Sequence, residues 1–217
     1  MSGRRNVLIK AMAAGLWAGT LGLVMPLQAQ AQSPSSPDLL AEISRRLDTP
    51  AVLRGEFEQT KTLKGFKRPL VSHGSFVMAR GRGVQWITSE PFASILVVTR
   101  ERLVTITGGA ATQQIDTRQE PGLRAINDML MALLAGDVKA LAGRFQSEGG
   151  VQGSQGWHVS LTPRDAALAR FIARIELEGD RHVNQVRLME ASGDDSRIRF
   201  TRPVASTLSP AETERFN

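Results

Sequence analysis

Two periods alternate along the chain. Leu39, Leu40, Ile43 and Leu47 recur at helical spacing. Ser36-Pro37-Asp38 supplies a start signal with proline in the first turn, and Pro50 ends the segment, so a short amphipathic helix is predicted. From Val52 to Asp116 the period drops to two. Leu53, Gly55 and Phe57 alternate with Arg54, Glu56 and Glu58, while Leu70, Gly74, Phe76, Met78 and Arg80 share one parity. Val84, Trp86 and Thr88 continue that face beyond Gly81 and Gly83. After Pro91, residues 95–99 and 103–107 are β-branched runs, Gly108-Gly109 closes the second, and 112–117 gives one more strand. Strands this close leave no room for crossover helices, so they pair antiparallel.

Helical spacing returns after Pro121-Gly122. Leu123, Ile126, Leu130, Leu133 and Leu134 form a stripe that Met129 and Met131 broaden, with Gly136 at its end. Asp137 caps a shorter helix to Ala142. Strands resume at 144–147, 157–162, 171–178, 183–190 and 197–201, with Gly179-Asp180 and Gly193-Asp194 as hairpin turns. In the strand from 171, Phe171, Ala173, Ile175 and Leu177 make the apolar side. The expected architecture is mainly β with a few helices: one sheet of about ten strands, covered by the N-terminal helix and the 122–142 pair. With aromatics at 5% of the chain, that cover is expected to enclose an apolar pocket rather than a solid core.

The ends carry different messages. Arg4, Arg5 and Lys10 precede an uncharged stretch from Ala11 to Leu27, and Ala29-Gln30-Ala31 offers small residues at a cleavage site. Residues 1–31 read as a secretory signal peptide cut after Ala31, with the general and twin-arginine export routes both open. Residues 32–37 form a flexible polar leader, and 38–217 a single domain with no repeat and no dividing linker. The formal charge of +6 is partly the leader's: without residues 1–31, Lys plus Arg falls from 27 to 24 against 21 acids, a charge of +3. A nucleic-acid partner is not expected. There is no cysteine, so disulfides, thiolate metal sites and thiol nucleophiles are excluded.

Candidate chemistry is sparse. His73, His158 and His182 are scattered over exposed strand or turn positions, with no serine–histidine or paired-carboxylate arrangement around them. Gly81-Arg82-Gly83 is not followed by a helix that would point at a phosphate. The reading is no enzyme, no cofactor and no metal.

One ordered set of short motifs narrows the function. Leu53-Arg54-Gly55-Glu56-Phe57-Glu58-Gln59, Gly74-Ser75-Phe76-Val77-Met78-Ala79-Arg80, Gly83-Val84-Gln85-Trp86 and Glu90-Pro91-Phe92-Ala93-Ser94-Ile95-Leu96-Val97 follow one another behind a signal peptide. In order and spacing they resemble the LolA family, the periplasmic carriers of outer-membrane lipoproteins. The resemblance implies a strongly curved antiparallel sheet forming an incomplete, half-open barrel, with a helical lid over an apolar cavity. That cavity would take the acyl chains of lipoproteins, or of another acylated lipid cargo. Phe57, Phe76, Met78, Val84, Trp86, Leu96 and Val98 would line it, Leu130, Leu133 and Leu134 would be the underside of the lid, and Arg80 would latch the lid. The implied partners are the cargo, an inner-membrane exporter and an outer-membrane acceptor, with the carrier itself a monomer in the periplasm.

The chain departs from the family pattern in places. Arg80-Gly81 stands where the family has Arg-Pro, Val84 where it has phenylalanine, tyrosine is absent, and the end at 209–212 is short and polar. A second reading therefore stays open, an interaction or regulatory module of the same fold that binds a protein rather than a lipid.

Overall fold

The computed structural model describes residues 36–116 and 141–217. Its first element is helix α1 (Ser36–Arg46), whose Leu39, Leu40 and Ile43 are buried as the helical spacing predicts. Arg46 anchors the helix end, bonding Glu42 (3.1 Å) and the Gly156 carbonyl (2.9 Å), so a cation meets acceptors where the helix carbonyls run out.

Strands β1 (Val52–Thr62), β2 (Leu70–Ala79), β3 (Gly83–Glu90), β4 (Ser94–Thr99), β5 (Arg102–Thr107) and β6 (Ala110–Asp116) follow as consecutive antiparallel hairpins. After the undescribed residues come β7 (Phe145–Gln152), β8 (Gly156–Pro163), the single-turn helix α2 (Ala166–Ala169), β9 (Ile172–Gly179), β10 (Val183–Glu190) and β11 (Asp195–Ala205). Helix α3 (Pro210–Phe216) ends the chain. The eleven strands make one sheet in the order β6-β5-β4-β3-β2-β1-β11-β10-β9-β8-β7, joined at its centre by β1 against β11. Residues Pro34–Asn217 form one compact unit.

The antiparallel expectation holds, but the half-open barrel does not. The sheet is open: β6 and β7 are its two edges and do not pair, and it is neither closed nor strongly curled. The physical reason lies in what covers the inner face. Leu39, Leu40, Ile43 and Leu47 of the α1 segment pack against Phe145, Trp157, Val159, Leu161, Ile175 and Leu177, so β7–β10 bury their apolar side under a helix. They have no need to wrap toward the far edge. The helical lid at 122–142, with Leu130, Leu133 and Leu134, lies outside the described residues except for its last two positions.

A second cluster occupies the outer face of the other half. Val52, Val77, Ala79 and Val97 are buried together with Phe216 of α3. Around this cluster, β2–β4 carry apolar residues on both sides.

One face assignment is corrected. Phe171 precedes β9 and is 50% exposed, while Ile172 is buried. The register between β10 and β9 shifts at Met189/Glu190, so a bulge separates Ile172 from Arg174 and breaks the alternation that placed Phe171 inside.

Candidate functional site

Pairing brings the inner-face residues of β1–β4 into one surface. Leu53 lies opposite Met78, Gly55 opposite Phe76 and Phe57 opposite Gly74. Phe76 then faces Trp86, Met78 faces Val84, Trp86 faces Leu96 and Val84 faces Val98. Across the centre, Phe57 pairs with Phe200 and Gln59 with Ile198.

Aromatic rings fill the middle of this surface. Phe57 stacks on Trp86 with centroids 3.8 Å apart, and Phe200 meets Trp86 at 5.9 Å and Phe76 at 5.2 Å, both edge-on. Gly74 makes the stack possible. A Cβ there would lie 2.0 Å from the Ile87 carbonyl oxygen and 2.8 Å from the Phe57 ring, so no other residue fits without moving β3.

Beside the rings lies an apolar cavity of about 390 Å³. Phe76, Met78, Val84, Trp86, Leu96 and Val98 all stand on its wall, and Arg80 stands at its edge. Met78, Trp86 and Leu96 are half-buried, as wall residues facing free space should be. Phe57 does not line this cavity; it is 3% exposed and locked in the stack against Trp86.

The rest of the wall was not anticipated from the sequence. Leu47, Thr49 and Pro50 contribute from the segment after α1, and Leu177, Val183, Val186, Ile198, Phe200 and Pro203 from β9–β11. Their signal was present as alternation: Val186 and Leu177 pair, and Ile198 pairs with Val186, so one parity runs across three strands. Asp48, Arg80 and His182 make the rim polar. Arg80 is exposed, with its backbone N–H donating to the Ala51 carbonyl (2.9 Å). Among the described residues its guanidinium forms no side-chain hydrogen bond or ion pair. Apart from Gln59 and these rim groups, the wall is mostly apolar.

A wider polar groove lies on the opposite face, lined by Glu56, Glu58, His73, Ser75, Ser89 and Arg199. His73 Nδ1 is 3.9 Å from Glu58 Oε2, too long for a hydrogen bond, and the Ser89 hydroxyl donates to the His73 carbonyl (3.0 Å). Among the described residues no three His, Asp or Glu side chains gather as a metal site, and no helix is long and apolar enough to cross a membrane.

The family model described as outer membrane lipoprotein carrier protein LolA matches residues 49–213. An outer-membrane lipoprotein carrier protein from Dechloromonas aromatica is 24% identical over 213 residues, covering 98% of this chain and 94% of the relative. Among solved structures, a LolA superfamily protein from Nitrosomonas europaea superposes with a TM-score of 0.46 at 8% identity, covering 82% of this chain and 96% of that one. A chain of the MucA/MucB complex from Pseudomonas aeruginosa gives a TM-score of 0.46 at 19% identity, covering 83% of this chain and 60% of that one.

Proposed function

We propose, since the chain belongs to the LolA family of outer membrane lipoprotein carrier proteins, that it binds the acyl chains of a lipoprotein or a related acylated lipid in the cavity beside Trp86. It would carry that cargo between the membranes. Family membership supports a carrier role in the periplasm in general terms. The observation that carries the finer reading is the cavity itself: an apolar wall from seven strands with charged groups at the rim alone. Each methylene removed from water contributes about 0.8 kcal/mol, so one chain supplies the affinity without directed polar contacts. Arg80, exposed at the rim, latches the segment that closes over the cargo; five donors in a planar fork suit backbone carbonyls. An inner-membrane exporter supplies the cargo, and an outer-membrane acceptor removes it by binding more tightly. Residues 1–31 direct export and are cut off after Ala31.

The test starts from the chain beginning at Gln32, purified from cells and analysed by native mass spectrometry and organic extraction. An acylated species is expected in the wild type and absent from Met78→Glu, whose side chain faces the cavity at a half-buried position and whose thermal melt checks that it folds. A wild-type protein that comes out empty, and that takes up neither lipoprotein nor phospholipid in vitro, overturns the reading.

A further inference from the structure

Antiparallel connectivity sorts the loops between two ends of the sheet. The β1–β2, β3–β4, β8–β9 and β10–β11 connections lie at one end, and the β2–β3 and β9–β10 turns, with Arg80 and His182, at the other. Seven large apolar residues are exposed among the described residues, and five of them stand at the first end: Phe66, Leu70, Val71, Phe92 and Phe171. Phe66 is 69% exposed and Phe92 82%, on the tips of the β1–β2 and β3–β4 connections. Glu90 pairs beside His73, which runs the turn at 91–93 alongside Val71 and Leu70. The tips are held together. The Lys64 N–H donates to Asp194 Oδ1 (2.9 Å), and the Ala191 N–H donates to the Phe171 carbonyl (3.0 Å).

Charge accompanies the rings. Lys64, Lys67 and Arg68 surround Phe66 with no acid between residues 63 and 71, and Arg170 precedes Phe171. Among the described residues Lys64, Lys67 and Arg68 form no ion pair. Glu90, Asp165 and Asp194 are acids in or beside these connections.

We propose that this end of the sheet docks on an anionic lipid bilayer, with Phe66 and Phe92 entering the headgroup region and Lys64, Lys67 and Arg68 meeting lipid phosphates. Two features favour a bilayer over a protein. The rings stand singly on separate tips along one edge, which suits a fluid surface that admits each ring independently; a protein partner needs a contiguous apolar patch. Cations beside exposed aromatics match the layering of an anionic membrane, charge at the phosphates and ring just beneath. The docked chain would hold its polar cavity rim at the end away from the bilayer. This inference does not depend on the carrier reading.

Flotation of the chain from Gln32 with vesicles of phosphatidylethanolamine and phosphatidylglycerol tests it, with vesicles of phosphatidylcholine alone as the comparison. The wild type should float with the anionic vesicles and much less with the neutral ones. Phe66→Ser with Phe92→Ser, and separately Lys67→Glu with Arg68→Glu, should each weaken partitioning at least about tenfold. These positions are exposed, so unchanged thermal melts are expected. Arg82→Glu at the other end should float like the wild type. Met78→Glu should also float, which separates surface docking from uptake of lipid into the cavity. The proposal is overturned if the wild type stays in solution, if the paired variants float unchanged, or if Arg82→Glu or Met78→Glu abolishes flotation. It is equally overturned if a photocrosslinker at position 66 captures a protein instead of lipid in cells.

Discussion

Strands β2–β4 have two apolar faces with different surroundings. On the outer face, Val77, Ala79 and Val97 are sealed by α3, and the seal is completed by polar groups. Gln85, fully buried, donates to the Glu212 carbonyl (2.7 Å) and accepts from Arg215 (3.2 Å). Arg54 forms a two-pronged pair with the Glu212 carboxylate, one arm through Nη1 and the other through Nη2 to Oε2 (2.6 Å). On the inner face the same strands present Met78, Trp86 and Leu96 half-buried to a cavity. Apolar character therefore marks both faces alike. Among the described residues, what sets the outer face apart is a helix that hydrogen-bonds to the strands beneath it.

Neighbouring residues of β4 give the sharpest contrast. Val97 is fully buried on the sealed side, and Val97→Asp should place an unpaired charge there, costing more than about 4 kcal/mol and leaving no folded protein in a urea titration. The next largest effect belongs to the seal. The hydrogen bond and charge of Arg54, with the Ser209 N–H, hold the Glu212 carboxyl down at about 2, below its ordinary 4.5, against the opposing effect of burial. A depressed carboxyl stabilises the fold fully above pH 4.5 and loses that contribution as pH falls toward 2. Glu212→Gln should cost about 3 kcal/mol at neutral pH and flatten the pH dependence across that window, read by denaturation at stepped pH. The smallest stability effect is expected from Leu96→Asp, about 1–2 kcal/mol, because its side chain already faces open space. A folded Leu96→Asp protein that still yields bound acyl species on extraction would show that the open face is not the binding face.

Much of this contrast was legible as parity. Phe76, Met78, Val84, Trp86, Leu96 and Val98 fall on one wall because a strand exposes alternate residues to the same side, and pairing keeps that phase from β2 to β4. Other features depend on information that periodicity does not carry. Phe57 has the right parity, but Gly74 opposite it opens room for the ring to stack against Trp86 rather than face the cavity. Phe171 shifted because a bulge spends one residue without advancing the pleat. The expected barrel failed for a similar reason: curvature follows from register and from what rests on the inner face, and α1 already rests there.

Helix α3 carries a start signal without a hydrophobic stripe. Ser209-Pro210-Ala211-Glu212 is a capping box with proline in the first turn, and in the structure both of its hydrogen bonds are made. The segment looks like a polar tail in sequence because the helix docks through Glu212 and Arg215, with Phe216 as its one large apolar anchor.

The stack of Phe57 on Trp86 has an optical consequence. The chain has three tryptophans and no tyrosine, and two of the three, Trp86 and Trp157, lie in the stretch beginning at Gln32. Of these two indoles, Trp157 is 4% exposed in the α1-covered core, its Nε1 donating to the Asp180 carbonyl (2.7 Å). Its emission is set by a buried environment. Trp86 has one ring face against Phe57 and the other side toward the cavity, so its emission follows whatever displaces water there. With no phenol to donate excitation energy, the spectrum of the chain beginning at Gln32 holds two indoles in unlike surroundings, one buried in the core and one facing the cavity.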